Sequence, residues 1–123
     1  MNIIIDTHIF LWALADPQKI SETKRRELET ATNTIYVSAI SVAEMMLKSS
    51  IGKLDINFDV VDMVKQSGFE LLDFSAEDAV GLKNLPFHHK DPFDRMLVAQ
   101  SSSRGFALMS EDSKLSLYNC QVI

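Results

Sequence analysis

The sequence has few of the features that mark a secreted or membrane protein. Its single cysteine, Cys120, excludes an internal disulfide and favours a reducing, cytoplasmic location. No apolar run approaches the roughly 20 residues of a membrane-spanning helix, and the apolar residues 1–5 are too few for a signal peptide core. Repeats, linkers and low-complexity segments are also absent. We therefore expect one soluble domain over residues 1–123, with no membrane association.

Positive charge is scarce as well. Lysine and arginine number 12 against 17 acidic residues, which gives a formal net charge of −5. This balance argues against a broad phosphate-binding surface, so a nucleic-acid partner would require bound cations that reverse the field locally. No Ser-His-Asp or Cys-His arrangement is evident to supply a protein nucleophile.

Short apolar runs rich in β-branched and aromatic residues predict four strands, at residues 2–5, 34–38, 69–74 and 106–109. Helical patterns separate them, and residues 120–123 could add an edge strand. Alternating strands and helices predict an α/β fold with a parallel sheet covered on both sides. Since crossovers are right-handed, the carboxyl ends of the strands share one edge of the sheet, where ligands bind in such folds.

Two acidic residues follow predicted strands at this edge, and a third lies one turn into the helix after the second strand. Asp6 ends the first strand and Asp112 follows the fourth, but each could simply cap the next helix. The third acid, Glu44, could form a capping box with Ser41 or an ion pair with Lys48.

The fourth acid belongs to the stretch 88–100, which opens with a basic loop and continues as a helix. Pro92 suits the first helical position and Asp91 the N-cap, so Asp94 falls in the first turn, where the helix dipole favours acids. Two carboxylates about 4 Å apart repel by roughly 4 kcal/mol at an effective dielectric near 20. A converging cluster therefore shares protons or binds a cation, and an all-oxygen site selects Mg²⁺ or Mn²⁺.

Taken in order along the chain, these motifs resemble the PIN-domain ribonucleases, and most closely the VapC-type toxins of bacterial toxin–antitoxin systems. The resemblance runs end to end and rests on Asp6-Thr7-His8, Ser41-x-x-Glu44-x-x-x-Lys48, Gly52-Lys53-Leu54, the stretch from Asp91-Pro92-Phe93-Asp94-Arg95 to Ala99-Gln100, and Ser110-x-Asp112.

This resemblance implies a three-layer α/β/α sandwich around a central parallel sheet, and an acidic pocket that uses Mg²⁺ or Mn²⁺ to hydrolyse RNA. The family acids correspond to Asp6, Glu44, Asp94 and Asp112. We expect Asp6, Asp94 and Asp112 to bind the metal and Glu44 to orient or deprotonate the attacking water. Supporting positions and candidate phosphate contacts are Thr7, Asp91, Ser110, Lys48, Lys53, Lys90, Arg95 and the pair His88-His89. Capping is the preferred role of Asp91, and Glu111 competes with Asp112 for the place of the fourth acid.

The resemblance also implies a homodimer that is neutralised by a VapB-type antitoxin in or near the acidic groove. Apolar side chains that could serve that interface, or else pack in the core, are Ile9, Phe10, Trp12 and Met46. Two other functions stay open. An aspartyl-nucleophile phosphohydrolase would place a second aspartate two residues after the first, where this chain has His8. A catalytically inactive PIN-like binding module would bind no divalent cation.

Overall fold

A four-stranded parallel sheet forms the centre of the computed structural model, which describes residues 1–123. Its strands are β1 (Asn2–Ile5), β2 (Thr34–Ser38), β3 (Glu70–Leu72) and β4 (Ala107–Met109). The order is β3-β2-β1-β4, so β1 pairs with both β2 and β4. The chain steps outward from β1 to β3 and then returns to the other side of β1. The strand order therefore reverses between β1 and β4. Ligands of such sheets usually bind in the crevice at the carboxyl ends of the two strands where the order reverses.

Both faces of the sheet are buried, which explains why β1 is apolar without alternation. Ile3 and Ile5 belong to one core cluster, while Ile4 belongs to the other, and all three are fully buried. Full burial of one such side chain contributes about 1.5–3 kcal/mol to folding. The three layers of the predicted α/β/α sandwich are thus confirmed.

Six helices cover the two faces: α1 (Thr7–Ala15), α2 (Glu22–Glu29), α3 (Ala39–Ser50), α4 (Val60–Gln66), α5 (Ala76–Val80) and α6 (Pro92–Arg104). Three 3-10 turns, Pro17–Lys19, Gly81–Asn84 and Ser113–Leu117, complete the chain. α6 packs on the face of Ile4, and α1 and α4 pack on the face of Ile3 and Ile5. None of the helices combines the length and apolarity needed to cross a lipid bilayer.

Local capping explains where the elements differ from the predicted boundaries. The helix expected from residue 58 begins at Val60, because the side chain of Asp59 accepts from the amide of Asp62. Similarly, α3 begins at Ala39 because Ser38 caps it through the amide of Ile40. The proposed edge strand at residues 120–123 reduces to one bridge between Val122 and Leu108.

Candidate functional site

The site begins where β1 ends. Asp6 is 4% exposed and caps α1, its Oδ1 accepting from the amide of Ile9 at 2.9 Å. The expected cap is therefore present, but it occupies only one carboxylate oxygen. Burial raises the pKa of Asp6, against the opposing effect of a hydrogen bond from the Ser110 hydroxyl. Asp6 is thus a buried acid at the reversal point of the sheet.

The neighbouring helix α3 supplies Glu44, whose two carboxylate oxygens are both fixed. Oε1 accepts from the hydroxyl of Thr7 at 2.6 Å, and Oε2 pairs with the ammonium of Lys48. This pair raises the pKa of Lys48. The alternative capping box does not form, because the N-cap of α3 is Ser38; the Ser41 hydroxyl is instead buried without a partner, one turn before Glu44.

Asp94, like Asp6, carries a charge that its surroundings oppose. Burial, followed by the nearby carboxylates of Asp91 and Asp6, raises the pKa of Asp94 to about 7. Asp91 itself caps α6, its Oδ1 accepting from the amides of Phe93 at 2.8 Å and Asp94 at 3.0 Å. The geometry of Asp91 therefore matches its preferred role as a cap, while its charge adds to the field on Asp94.

A second buried aspartate shows that burial alone does not produce this effect. Asp78 is fully buried, yet hydrogen bonds from Arg104 and the amide of Ser75 outweigh its desolvation and lower its pKa. Its Oδ1 lies 3.0 Å from Nε of Arg104. Asp94 has no comparable cation beside it. The difference is typical of functional acids, although structural ion pairs also shift pKa values.

The loop after β4 supplies Asp112. Its Oδ1 accepts from the amide of Lys114 at 2.9 Å, and its own amide donates to the Ser110 hydroxyl at 2.9 Å. Glu111 has partners on α2 and at its N-cap: it accepts from the amide of Ser21 at 3.0 Å and pairs with Lys24 at 3.2 Å. Of these two candidate acids, Asp112 is the one connected to Asp94.

That connection is made by His89, which the sequence suggested only as a phosphate contact. Nε2 of His89 lies 2.7 Å from Asp112 Oδ2 and 3.4 Å from Asp94 Oδ2. Its Nδ1 accepts from the amide of Asp91 at 3.0 Å, so the ring proton is on Nε2 and the ring is neutral. The signal for this contact was its position two residues before the α6 cap.

The basic residues of the stretch have different surroundings. Arg95 is buried, and its guanidinium donates to the carbonyls of Pro86 at 2.8 Å and Leu85 at 3.2 Å. It therefore fixes the loop before α6, and we revise its expected role as an RNA contact. Lys53 and Lys90 are exposed.

The apolar residues that were candidates for a partner surface differ in their exposure to solvent. Ile9 and Phe10 are fully buried in the core, which removes them from any interface. Trp12 is half-buried, and Met46 is 42% exposed.

Carboxylates of this arrangement fit a hard divalent cation. Ligand atoms of His89, Asp94 and Asp112 all lie within 4.8 Å of one another. His89 cannot ligate through Nε2 while that nitrogen carries the proton, so oxygen atoms of the carboxylates are the available donors. Mg²⁺ and Mn²⁺ prefer such oxygen donors.

The chain therefore has a three-layer α/β fold with an acidic crevice beside its central strand. This combination makes it an α/β protein with a candidate metal site. The chain belongs to the PIN domain family, whose model matches residues 3–119. It is similar to Ribonuclease VapC22 of Mycobacterium tuberculosis (strain ATCC 25618 / H37Rv), with 22% identity over 117 residues, 93% of this chain and 89% of that protein.

Solved structures show the same fold. The chain is similar to VapBC2 from Rickettsia felis, in a crystal structure bound to a DNA fragment from the promoter of VapBC2. The TM-score is 0.70 and the identity 18%, with coverage of 100% of this chain and 98% of that one. It also resembles DNA-bound VapBC from Salmonella typhimurium, with a TM-score of 0.72, 15% identity and coverage of 100% and 97%. At these identities the likeness concerns the fold alone.

Proposed function

We propose that this chain is a metal-dependent endoribonuclease that hydrolyses RNA phosphodiester bonds and acts as the toxin of a toxin–antitoxin pair. The observation that carries the proposal is the group formed by His89, Asp94 and Asp112, whose ligand atoms lie within 4.8 Å of one another, with burial and neighbouring carboxylates raising the pKa of Asp94. The family membership and the similarity to Ribonuclease VapC22 support the same activity.

In this proposal Asp6, Asp94 and Asp112 hold Mg²⁺ or Mn²⁺. Bound there, the cation would lower the pKa of a water molecule and offset negative charge on the phosphodiester. Glu44 orients or deprotonates the attacking water, and Thr7 and Lys48 hold its carboxylate in one orientation for this role. Ser110 supports the site by linking Asp6 to the Asp112 loop.

Phosphate contacts are assigned to Lys53 and Lys90, which are exposed, and to Lys48 beside Glu44. Their positive charge partly offsets the acidic surface where the RNA backbone approaches. We expect each substitution to glutamine to weaken RNA binding and to reduce its dependence on salt.

The test is cleavage of total RNA by purified protein with and without EDTA, followed by sequencing of the RNA ends. Wild-type protein with Mg²⁺ or Mn²⁺ should produce new ends, whereas EDTA or the substitution Asp94→Asn should abolish them. Asp55→Asn is the matched control, since Asp55 is an exposed aspartate outside the cluster. Cleavage that persists in Asp94→Asn and in EDTA would rule out this mechanism.

The proposed partners are a VapB-type antitoxin and a second copy of this chain. Support comes from the VapBC complexes of similar fold and from exposed apolar residues on α3, namely Met46 and Leu47, together with its C-cap residue Ile51. Co-purification from the native host, followed by light scattering of the isolated chain, tests both. Recovery of the chain alone as a monomer would contradict this part of the proposal.

A further inference from the structure

A cavity of about 210 Å³ lies beside the acidic crevice, between the first turns of α1 and the loop after β4. It is lined by Asp6, His8, Trp12, Glu111 and Asp112. The volume would hold about seven water molecules, and it is smaller than typical pockets for drug-sized ligands. A larger cavity of about 320 Å³ beside Leu85 and Tyr118 contains none of the clustered acids.

One wall of this cavity is aromatic. His8 and Trp12 are four residues apart in α1 and therefore share a face of the helix. Their ring centroids are 5.6 Å apart with planes tilted by 41°. Trp12 packs against the core on its other side, which fixes its ring, while His8 is exposed. Neither ring has a part in the proposed hydrolysis.

Of the three carboxylates that line the cavity, Glu111 and Asp112 already have partners for their charge. Lys24 and the amide of Ser21 hold Glu111 and lower its pKa despite partial burial. Asp112 accepts from His89 and Lys114. Such oxygens repel a phosphate group but accept hydrogen bonds from N–H groups of a neutral ring. The cavity thus pairs stacking surfaces with acceptors.

We propose that this cavity is a nucleobase subsite that binds one unpaired base of the RNA next to the cleaved phosphodiester. The base stacks on Trp12 and His8, and its exocyclic amino group donates to Glu111. An extruded base in a single strand exposes both its faces and its edge, whereas a base within a duplex does not. The inference rests on the proposed ribonuclease function and adds to it a preference for an amino-bearing base at this position.

The chain offers a direct probe, because Trp12 is its only tryptophan. Glu44→Gln protein, which keeps the three proposed metal ligands and should not cleave, is titrated in Mg²⁺ with short oligoadenylate, oligouridylate and an abasic ribose-phosphate oligomer while tryptophan fluorescence is recorded. We expect saturable quenching that is strongest for oligoadenylate, since adenine has an amino group and stacks well. The abasic oligomer should leave the fluorescence unchanged.

Substitutions then separate stacking from folding. In the same background, His8→Ala and Trp12→Leu should weaken binding of labelled oligoadenylate by about 5- to 150-fold, the range for one stacked base. Trp12→Phe should keep most of the affinity because it keeps a ring for stacking, and a cooperative urea transition of Trp12→Leu excludes loss of the fold as the cause of its weaker binding. Phe87→Ala is the matched control, because Phe87 is an 84% exposed ring outside the cavity.

Several outcomes would overturn the subsite. These are absence of quenching, equal quenching by the abasic oligomer, or equal loss of affinity in Phe87→Ala. Quenching by the cognate antitoxin but not by RNA would assign the aromatic wall to the protein partner instead. If wild-type protein cleaves RNA while Trp12 is not quenched, the subsite fails and the ribonuclease proposal stands. If the fluorescence of Trp12 is quenched but no RNA is cleaved, the subsite stands and the ribonuclease proposal fails.

Discussion

Replacing Asp94 by asparagine should stabilise the metal-free protein. In the folded chain, burial and the carboxylates of Asp91 and Asp6 raise the pKa of Asp94 to about 7, from an ordinary value of 3.8. Above pH 7 the native protein therefore holds an ionised acid in surroundings that oppose its charge. Asparagine preserves the size of the side chain and removes the charge.

The magnitude follows from the shift in pKa. A difference of about 3 units corresponds to roughly 4 kcal/mol at about 1.36 kcal/mol per unit. The Asp94 side chain is 20% exposed, and solvent screening together with coupling to Asp6 reduces the expected gain to about 2 kcal/mol. For a domain of this length, that gain raises the melting temperature by roughly 8 °C.

The sign of the pH dependence is set by which state binds the proton more tightly. Because the pKa of Asp94 is higher in the folded state, its contribution to stability is greatest below about pH 4 and declines as the pH rises toward 7. The advantage of Asp94→Asn should therefore be absent near pH 4, grow with pH and level off above pH 7.

Urea unfolding of both proteins in EDTA, at several values of pH, measures this difference. Asp78→Asn is the matched control, because the paired Asp78 has a lowered pKa and its loss should destabilise the protein at neutral pH. Adding Mg²⁺ should stabilise the wild type more than Asp94→Asn, since a ligand that binds only the folded state stabilises it. A destabilised Asp94→Asn protein at pH 8 in EDTA would refute the assignment of uncompensated charge.

Three further changes test other parts of the structure. Arg95→Ala should lower the free energy of unfolding in urea by about 2–4 kcal/mol and expose the loop before α6 to protease, because removal of the buried guanidinium leaves two carbonyls unpaired. An unchanged urea midpoint would contradict this. Gly105→Ala should cost about 1 kcal/mol because Gly105 ends α6 at φ +68°, whereas Gly81→Ala, at φ −63°, should be neutral in the same assay. Lys48→Met should lower the free energy of unfolding by about 1–3 kcal/mol and also reduce RNA cleavage, since it leaves the buried Glu44 carboxylate with Thr7 as its one partner. Full cleavage activity would refute the proposed dependence of Glu44 on Lys48.

Much of the fold was predictable because its signals are local. The buried run of β1, the Asp91-Pro92 start of α6 and the alternation of strands with helices each follow from a few adjacent residues. Parallel pairing and the edge shared by Asp6 and the Asp112 loop then follow from general rules of chain topology. The alternation also predicted helices on both sides of the sheet, and the family resemblance implied the same three-layer arrangement, which the structure confirms.

Contacts between side chains that are distant in the chain were harder to predict from the sequence. Whether Ser41 or Ser38 caps α3 depends on a difference of three residues in the helix start, which is within ordinary boundary uncertainty. The burial of Arg95 depends on the path of the loop 85–90, and the contact of His89 with Asp112 joins segments 23 residues apart. Charge alone cannot distinguish a surface arginine from one that holds carbonyls.

The placement of cations explains why this site needs a charge from outside the chain. Arg104 neutralises Asp78, but Arg95, the residue next to Asp94, directs its guanidinium at the carbonyls of Pro86 and Leu85. His89 offers Asp94 and Asp112 only a neutral N–H group, because its Nδ1 accepts from the Asp91 amide. The folded chain thus leaves Asp94 without a full positive charge. A divalent cation, or a basic side chain of the proposed antitoxin, would therefore stabilise this carboxylate.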